Sequence, residues 1–240
     1  MDDKAEIMKS HGGKNTYNWV PDFVYGGIDG AVTTFAVVAG VEGASLSVPI
    51  ILVLGFANLF ADGFTNSVGK YSSDKAELEE FERIKKIEYE HLKEKPEHER
   101  EEIEEIFEGF GFKGKDLKKA TEIITSDDDV WVDMMMRHEF NMTIEGVNPL
   151  RGGVITFVSF VLIGFIPLLG YTFRPLLRLD EGETFVFTVA ATLIALFIVG
   201  AVKSKFSVRH WFVSGLETAG IGGLAAAIAY GVGYALQGLV

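Results

Sequence analysis

Long apolar runs constrain this chain more than any other feature of its sequence. The runs VITFVSFVLIGFIPLLG and FVFTVAATLIALFIVGAV contain no charged residue, and helices built around them are long enough to cross about 30 Å of hydrocarbon. When every such run is drawn as a helix, the sequence predicts five membrane-spanning segments. Their expected bounds are 23–41, 48–71, 152–171, 184–202 and 211–236.

Acidic charge is concentrated between the second and third of these segments. The 240 residues carry a formal net charge of −12, and residues 73–150 hold 23 acidic and 12 basic side chains, so they account for −11 of it. This stretch is rich in Glu, Lys, Leu and Ile, which are strong helix formers. We therefore predict an all-α, five-helix polytopic membrane protein in three parts. These parts are spanning helices 1 and 2 with the N-terminal segment (1–72), an acidic helical domain (73–150) and spanning helices 3 to 5 (151–240).

Charge and composition also limit the topology and the possible functions. Lys and Arg are enriched in the polar stretches on one side of the predicted helices, so the positive-inside bias places the N-terminus and the inserted domain in the cytosol. Nothing in Met1–Trp19 resembles a cleavable signal. The absence of cysteine excludes disulfides, thiol catalysis and Cys-ligated metals. The acidic balance argues against a nucleic-acid partner, because phosphate binding needs clustered Lys and Arg.

An aspartate lies inside the first predicted spanning helix. Asp29 is about two turns into the apolar segment, and Asp22 and Thr33 share its helix face. A carboxylate at the centre of a spanning helix costs roughly 2.5 kcal/mol or more, so it requires a partner or a function. The alternative is a carboxylate near the membrane interface that caps a neighbouring helix.

The second predicted spanning helix carries a stripe of polar side chains. Asn58, Asp62, Asn66 and Lys70 follow one another at intervals of four residues. Such a stripe must face protein or water rather than lipid. Its oxygen atoms suit hard or borderline divalent cations, although interhelical hydrogen bonding by Asn is the simpler explanation.

The fifth predicted spanning helix combines small residues with one carboxylate. The glycines and alanines of GLETAGIGGLAAAIAYGVG predict close helix packing. Glu217 lies about two turns beyond Trp211, which is expected to mark the membrane interface. A proton carrier on the transport path and a structural partner are equally good interpretations of Glu217.

The acidic domain contains pairs of metal-ligating residues at helical spacings. Glu88 and His91 are three residues apart, as are Glu99 and Glu102, and a third set combines Met135, Met136 and Glu139. Each spacing places its members on one helix face, and ExxH is the spacing of ferritin-like carboxylate sites for iron. Carboxylate, imidazole and thioether ligands together favour a transition metal over Mg²⁺ or Ca²⁺. The alternatives are a solvated glutamate face and a methionine triplet packed in a core.

Taken together, these motifs resemble those of the vacuolar iron transporter family. Members of this family are proton-coupled Fe²⁺/Mn²⁺ exporters of plant, fungal and parasite vacuoles, and the family has prokaryotic relatives. The resemblance rests on IDGAVTTFAVVAGVEGA, FADGFTNSVGKY, WVDMMMRHEF and the PLRGG…GFIPLLGY run. It implies five spanning helices, a cytosolic metal-binding domain inserted between helices 2 and 3, and a homodimer whose path lies between the two copies of helix 1. Asp29 would then face its symmetry mate, and two carboxylates sharing one site cannot both ionise cheaply.

The resemblance also implies roles for individual residues. Asp29 matches the family's transport-path aspartate. The residues that match its cytosolic metal ligands are Glu88, Glu99, Glu102, Met135, Met136 and Glu139. Three positions depart from the family pattern: His91 replaces a glutamate of a plant member, Asn58 replaces a glutamate, and Asn66 stands where a pathway methionine is expected. Asp62 and Glu217 are candidates to restore the lost charge.

The sequence thus predicts a secondary transporter, not an enzyme, that exports Fe²⁺ and/or Mn²⁺ from the cytosol in exchange for protons. The candidate path residues are Asp29, Asn58, Asp62, Asn66 and Glu217. No cofactor is expected besides the transported or bound divalent metal ion, with Co²⁺ and Zn²⁺ as further candidates. The bilayer is that of a prokaryotic plasma membrane or, alternatively, a vacuole. A membrane-tethered metal-binding or ferroxidase-like sensor or storage protein is the competing interpretation, but a passive anchor has no need of Asp29 and Asp62.

Overall fold

A computed structural model of the chain describes residues 17–206 and 208–239, and these residues form helices and connecting turns without a β-strand. The all-α prediction is therefore confirmed for this part of the chain. We number the α-helices α1 to α10 in chain order. They are Val20–Gly43, Val48–Glu94, Pro96–Gly109, Gly114–Ile124, Asp128–His138, Pro149–Gly164, Ile166–Thr172, Arg174–Leu177, Glu181–Lys203 and Trp211–Leu236. The N-terminal residues on which the signal-peptide prediction rests lie outside the described residues.

Four of these helices are long and apolar enough to cross a membrane, namely α1, α2, α9 and α10. The predicted third span is not one straight helix: α6 and α7 meet at an angle of 43°, and together they count as a fifth span only if the bent pair is one span. The break coincides with Pro167 in the first turn of α7. Proline lacks an N–H group and its ring clashes with the preceding turn, so it bends or ends a helix.

The chain divides into two compact units. One comprises Ser73–Val147, and the other comprises Asn18–Ser72 together with Asn148–Val240. Helix α2 contributes to both, because no Gly or Pro interrupts it between Tyr71 and Glu94. We refer to the two as the inserted unit and the membrane unit and describe each by itself.

The membrane unit depends on close approach between helix backbones. A Cβ atom added to Gly30 of α1 would lie 2.4 Å from the carbonyl oxygen of Phe160 in α6. One added to Gly233 of α10 would lie 2.0 Å from the carbonyl oxygen of Gly40 in α1. Neither distance is compatible with a side chain, so these glycines allow α1 to pack directly against both neighbours. The tight packing predicted for the α10 glycines is confirmed at Gly233, whereas a Cβ atom added to Gly220 would meet no atom within 4 Å beyond the backbone of its own helix.

The inserted unit is a small helical bundle with an apolar core. The buried hydrophobic residues of this core are Phe81, Leu92, Ile103, Phe107, Leu117, Trp131, Val132, Met135 and Met136. Pro96 occupies the first turn of α3, where its missing N–H costs no helical hydrogen bond. Helix α5 opens on Asp127, whose Oδ1 accepts hydrogen bonds from the backbone N–H groups of Asp129 and Val130 at 3.0 and 3.1 Å. This helix ends at His138, and Asn141 then adopts a left-handed φ of 53°.

Candidate metal-ion sites

The polar side chains predicted inside the first two spanning helices meet in the membrane unit. The Lys70 Nζ lies 3.2 Å from Asp22 Oδ1, and the Asp22 side chain is 9% exposed. One turn further along α1, the Tyr25 hydroxyl donates a hydrogen bond to Asn66 Oδ1 at 3.0 Å. These two contacts join corresponding turns of α1 and α2. We call the residues Asp22, Tyr25, Asp29, Asp62, Asn66 and Lys70 the membrane cluster.

Asp29 and Asp62 supply the carboxylates at the centre of the membrane cluster. The Asp62 carboxylate and the Asn66 amide are both close enough to Asp29 to act on it electrostatically. The Asn66 Nδ2 also donates to the Asp62 carbonyl oxygen at 3.2 Å and to Oδ1 at 3.4 Å. Two carboxylates and an amide thus converge within the hydrophobic segments, where a divalent cation would find oxygen ligands.

Two other predicted path residues have different surroundings. The Asn58 Nδ2 is buried and has no hydrogen-bond partner in the described part of the chain, and it lies one turn before Asp62 on α2. A buried amide N–H group without an acceptor is costly, so an oxygen atom that accepts a hydrogen bond from Asn58 Nδ2 would be stabilising. Glu217 lies on α10 and pairs with Arg209, with 2.7 Å between Oε2 and Nη1. Both side chains of that pair are more than a third exposed, which suits a structural partner better than a residue inside a path.

The inserted unit brings together three of the predicted metal ligands. Ligand atoms of Glu88, His91 and Glu99 all lie within 4.8 Å of one another. The His91 Nδ1 is 3.6 Å from Glu88 Oε1 and 3.4 Å from Glu99 Oε1. Both glutamates are 2% exposed, and the second carboxylate oxygen of each is buried without a hydrogen-bond partner in the described residues.

The turn at Lys95 explains how ligands from two helices meet. Helix α2 ends at Glu94 and α3 begins at Pro96, so the chain reverses within two residues. The last turns of α2 therefore lie beside the first turns of α3, which places Glu88 and His91 opposite Glu99. The i, i+3 spacing predicted the shared face on α2, and the short turn supplies the third ligand.

Further carboxylates surround the same cavity, which has a volume of about 150 Å³. The lining residues are Glu88, His91, Lys95, His98, Glu99, Glu102, Glu139 and Phe140, and we call these eight the acidic cluster. Predicted ligands from α2, α3 and the end of α5 thus share one cavity. A space of this size with several convergent carboxylates and imidazoles is suited to a transition-metal ion.

Burial and mutual repulsion raise the pKa of three glutamates in the acidic cluster to about 7. Loss of solvent is the largest cause for Glu88, Glu99 and Glu139. Neighbouring carboxylates add to it: Glu139 and Glu102 act on Glu88, and Glu102 acts on both Glu99 and Glu139. His91 partly offsets the effect on the pKa of Glu99. A bound divalent cation would lower the pKa of these glutamates, because it stabilises the ionised carboxylates and releases their protons.

The two predicted thioether ligands lie in the apolar core of the inserted unit. Met135 and Met136 are 0% and 1% exposed and pack with Trp131 and Val132. Neither lines the cavity of the acidic cluster. This arrangement accounts for the methionines as packing residues.

Sequence reasoning overlooked some members of the two clusters. His98 Nε2 lies 3.5 Å from Glu102 Oε1 across one helical turn, a pair that its i, i+4 spacing could have indicated. The pairing of Lys70 with Asp22 was also missed, although both residues were placed on polar faces. The sequence does not indicate that Tyr25 belongs to the membrane cluster, because an aromatic residue near the start of a spanning helix is ordinarily an interface anchor.

Comparison with known proteins gives one consistent result. The model of the VIT family matches residues 20–234. A vacuolar iron transporter of Toxoplasma gondii is 33% identical over 226 residues, which cover 92% of this chain and 75% of that protein. Vacuolar iron transporter 1 of Eucalyptus grandis is 33% identical over 221 residues (91% and 86%), and that of Arabidopsis thaliana is 34% identical over 214 residues (88% and 83%).

Proposed function

Because the chain belongs to the VIT family, a family of membrane transporters rather than enzymes, we propose that it exports Fe²⁺ and/or Mn²⁺ from the cytosol in exchange for protons. The observation that carries this proposal is the membrane cluster. It combines three carboxylates, an amide and a lysine on α1 and α2, where an inert anchor would have apolar side chains. Such groups inside spanning helices are characteristic of ion pathways.

In this proposal Asp29 and Asp62 bind the metal ion during transport, with Asn58 and Asn66 as neutral oxygen ligands. Oxygen ligands of this kind suit Mn²⁺ and Fe²⁺. A metal ion binds ionised carboxylates and a proton binds the same oxygens, so the two compete for one site. Exchange follows when this site opens to the two sides of the membrane in turn, with the metal ion bound in one direction and protons bound in the other, so that protons move toward the cytosol as the metal leaves it.

The acidic cluster of the inserted unit would collect the metal ion from the cytosol. Its carboxylates and imidazoles attract divalent cations, and the unpaired oxygens of Glu88 and Glu99 supply vacant ligand positions. The proposed ligands are Glu88, His91, Glu99, Glu102 and Glu139. Met135 and Met136 would become ligands only if the core around α5 rearranged.

We further propose that two copies assemble with α1 at their interface, so that each contributes an Asp29 to the path. Tyr25 of α1 has a side chain exposed by 52% on the single chain, and the chain has no native cysteine. Oxidation of a Tyr25→Cys variant in membranes should therefore give a cross-linked dimer. Exclusive recovery of monomer, with the variant thiol shown to be reactive, would contradict the interface.

Transport is tested with the purified chain in liposomes that contain a metal-sensitive dye. With an acidic interior, external Mn²⁺ or Fe²⁺ under reducing conditions should accumulate inside while the internal pH rises. Collapse of the pH gradient with a proton–potassium ionophore should stop accumulation against the metal gradient. Metal entry that does not depend on the pH gradient would indicate a channel. Mg²⁺ serves as the control ion.

A further inference from the structure

A basic and apolar surface lies at the corner between α3 and α4 of the inserted unit. Phe110, Phe112 and Ile123 are 56%, 40% and 60% exposed. Four exposed lysines lie in the same stretch of the chain, at positions 113, 115, 118 and 119, and the exposed Asp116 lies among them. The three apolar residues and the four lysines form what we call the loop patch, and Phe110, Phe112, Lys113, Lys119 and Ile123 line an open cavity of about 570 Å³.

The charge of the loop patch is opposite to that of the unit that carries it. Residues 110–119 hold four lysines and one aspartate, whereas the remainder of 73–147 holds 22 acidic and 8 basic side chains. Lys75, Lys85 and Lys86 each pair with a carboxylate. Among the described residues, none of the four patch lysines has an ion-pair partner. Glu122 lies beside Ile123, so the whole stretch from Phe110 to Ile123 carries a net charge of +2, which sets it apart from the acidic remainder of the unit.

The loop patch lies at the end of the inserted unit where α2 enters it. Helix α3 runs back along α2, because Glu99 lies beside His91 and Ile103 and Phe107 share a core with Phe81. Phe110 is eleven residues beyond Glu99, so it is level with about residue 79 of α2.

We propose that the loop patch docks on the anionic surface of the bilayer that the spanning helices cross. Exposed aromatic side chains flanked by lysines suit the boundary between headgroups and acyl chains. Near an anionic leaflet each lysine favours the docked state by about five-fold. The spanning helices also keep the bilayer within reach of the patch, so docking is effectively intramolecular. This inference does not depend on the transport proposal.

A single spin label reports on docking, since the chain has no cysteine to remove. Ile123→Cys places the label within the patch and keeps the position apolar. The full chain is reconstituted in nanodiscs of phosphatidylcholine, with or without phosphatidylserine, and power saturation measures access of oxygen and of a water-soluble nickel chelate. We expect the label to become protected from nickel and accessible to oxygen only in the discs that contain phosphatidylserine.

Two matched triple variants test the role of charge. Lys115→Gln, Lys118→Gln and Lys119→Gln together should lower the ratio of docked to free patch roughly 100-fold, which restores access of the nickel chelate. Arg83→Gln, Lys86→Gln and Lys93→Gln remove the same charge from exposed positions outside the patch and should leave protection unchanged. Unaltered mobility of the label in detergent verifies that each variant is folded.

Three results would overturn the proposal. Equal nickel access in neutral and anionic discs would mean that the patch remains in solvent. Protection that persists in detergent and increases with protein concentration would mean that a second copy covers the patch. Protection lost equally in both triple variants would mean that overall charge, and not the patch, controls it.

Discussion

An aspartate in an apolar helix is stabilised only by the polar groups that surround it, and Asp29 has few. Its neighbours are Asp62, which repels its charge, and Asn66, whose amide partly offsets that repulsion. A metal ion or a proton between the two carboxylates would remove the repulsion. This arrangement makes Asp29 the residue whose removal should separate transport from metal capture.

Asp29→Asn should abolish metal uptake in liposomes, because the amide has nearly the same shape but neither the charge nor the titratable proton of the carboxylate. Metal binding by the acidic cluster should be unchanged. Measurement of Mn²⁺ uptake tests the loss of transport, and calorimetric titration of the same preparation tests the retained metal binding. Normal uptake by this variant would eliminate the proposed path, and loss of calorimetric binding would indicate general misfolding.

Lys70 introduces a fixed positive charge at the end of the membrane cluster. Lys70→Gln should tighten the binding of a divalent cation there by about five-fold, since a repulsion worth about 1 kcal/mol at a partly exposed position is removed. The KM for metal uptake should fall accordingly, whereas Lys70→Arg should retain the parent value. A KM that rises in Lys70→Gln would show that the lysine supports the site through its contact with Asp22.

The glutamates and methionines of the inserted unit should respond differently to substitution. Glu102→Ala or Glu139→Ala removes a charged ligand, so affinity for every divalent metal should fall. Met135→Leu combined with Met136→Leu keeps the apolar volume and removes only sulfur. Because both methionines lie in the core, the structure leads us to expect nearly parental affinities for Fe²⁺, Co²⁺ and Mn²⁺. A selective loss of Fe²⁺ and Co²⁺ affinity in calorimetry would instead identify the thioethers as ligands.

At the scale of the elements, α1 is held by direct backbone contacts on two sides in addition to the packing of side chains such as Phe35 and Val38. Its glycines meet the backbone of α6 near Phe160 and that of α10 near Gly233. A contact between two main chains cannot be relieved by a change of side-chain rotamer. The position of Asp29 therefore depends on residues that have no side chains.

Gly30→Ala should destabilise the membrane unit by about 1–3 kcal/mol, because the added methyl would meet the Phe160 carbonyl oxygen. Gly220→Ala is the matched control: its Cβ would meet no atom within 4 Å, and alanine favours a helix by about 0.5–1 kcal/mol over glycine. Apparent unfolding midpoints in detergent should thus fall for the first variant and hold or rise for the second. Equal midpoints for the two would show that α1 can move away from α6.

At the scale of the whole molecule, three glutamates from separate helical segments titrate within one shared cavity. Glu88 of α2, Glu99 of α3 and Glu139 after α5 share a cavity, and the pKa of each is raised from an ordinary 4.5 to about 7. A carboxyl whose pKa is higher in the folded state binds more protons there than in the unfolded state. Its favourable contribution to stability is complete below about pH 4.5 and is lost as the pH rises to about 7.

The metal-free inserted unit should therefore be less stable at pH 8 than at pH 5.5, while its metal affinity should rise across the same interval. Trp131 is buried in this unit, and replacing the other two tryptophans, Trp19 and Trp211, by phenylalanine makes it the only reporter. Denaturant titration followed by Trp131 fluorescence measures the stability, and metal titration at each pH measures the affinity. Glu88→Gln should weaken both pH dependences and the exposed Glu105→Gln should not. A metal-free unit that is more stable at pH 8 would refute the shared titration.

The sequence by itself determined the helical class, the apolar segments and the separate acidic stretch. These follow from hydrophobic length and from helix-forming composition, which are local properties. It also placed Asp29, Asp62 and Asn66 on polar faces and Glu88 and His91 on one turn, because helical periodicity alone decides which neighbours in sequence share a face.

Only the tertiary structure decided which faces meet. The contacts of Lys70 with Asp22 and of Glu99 with His91 join different helices, and no spacing along one helix can specify a contact with another. The burial of Met135 and Met136 likewise depends on what packs around them. Periodicity assigns a residue to a face, whereas the packing of three helices determines whether that face lines a cavity or fills a core.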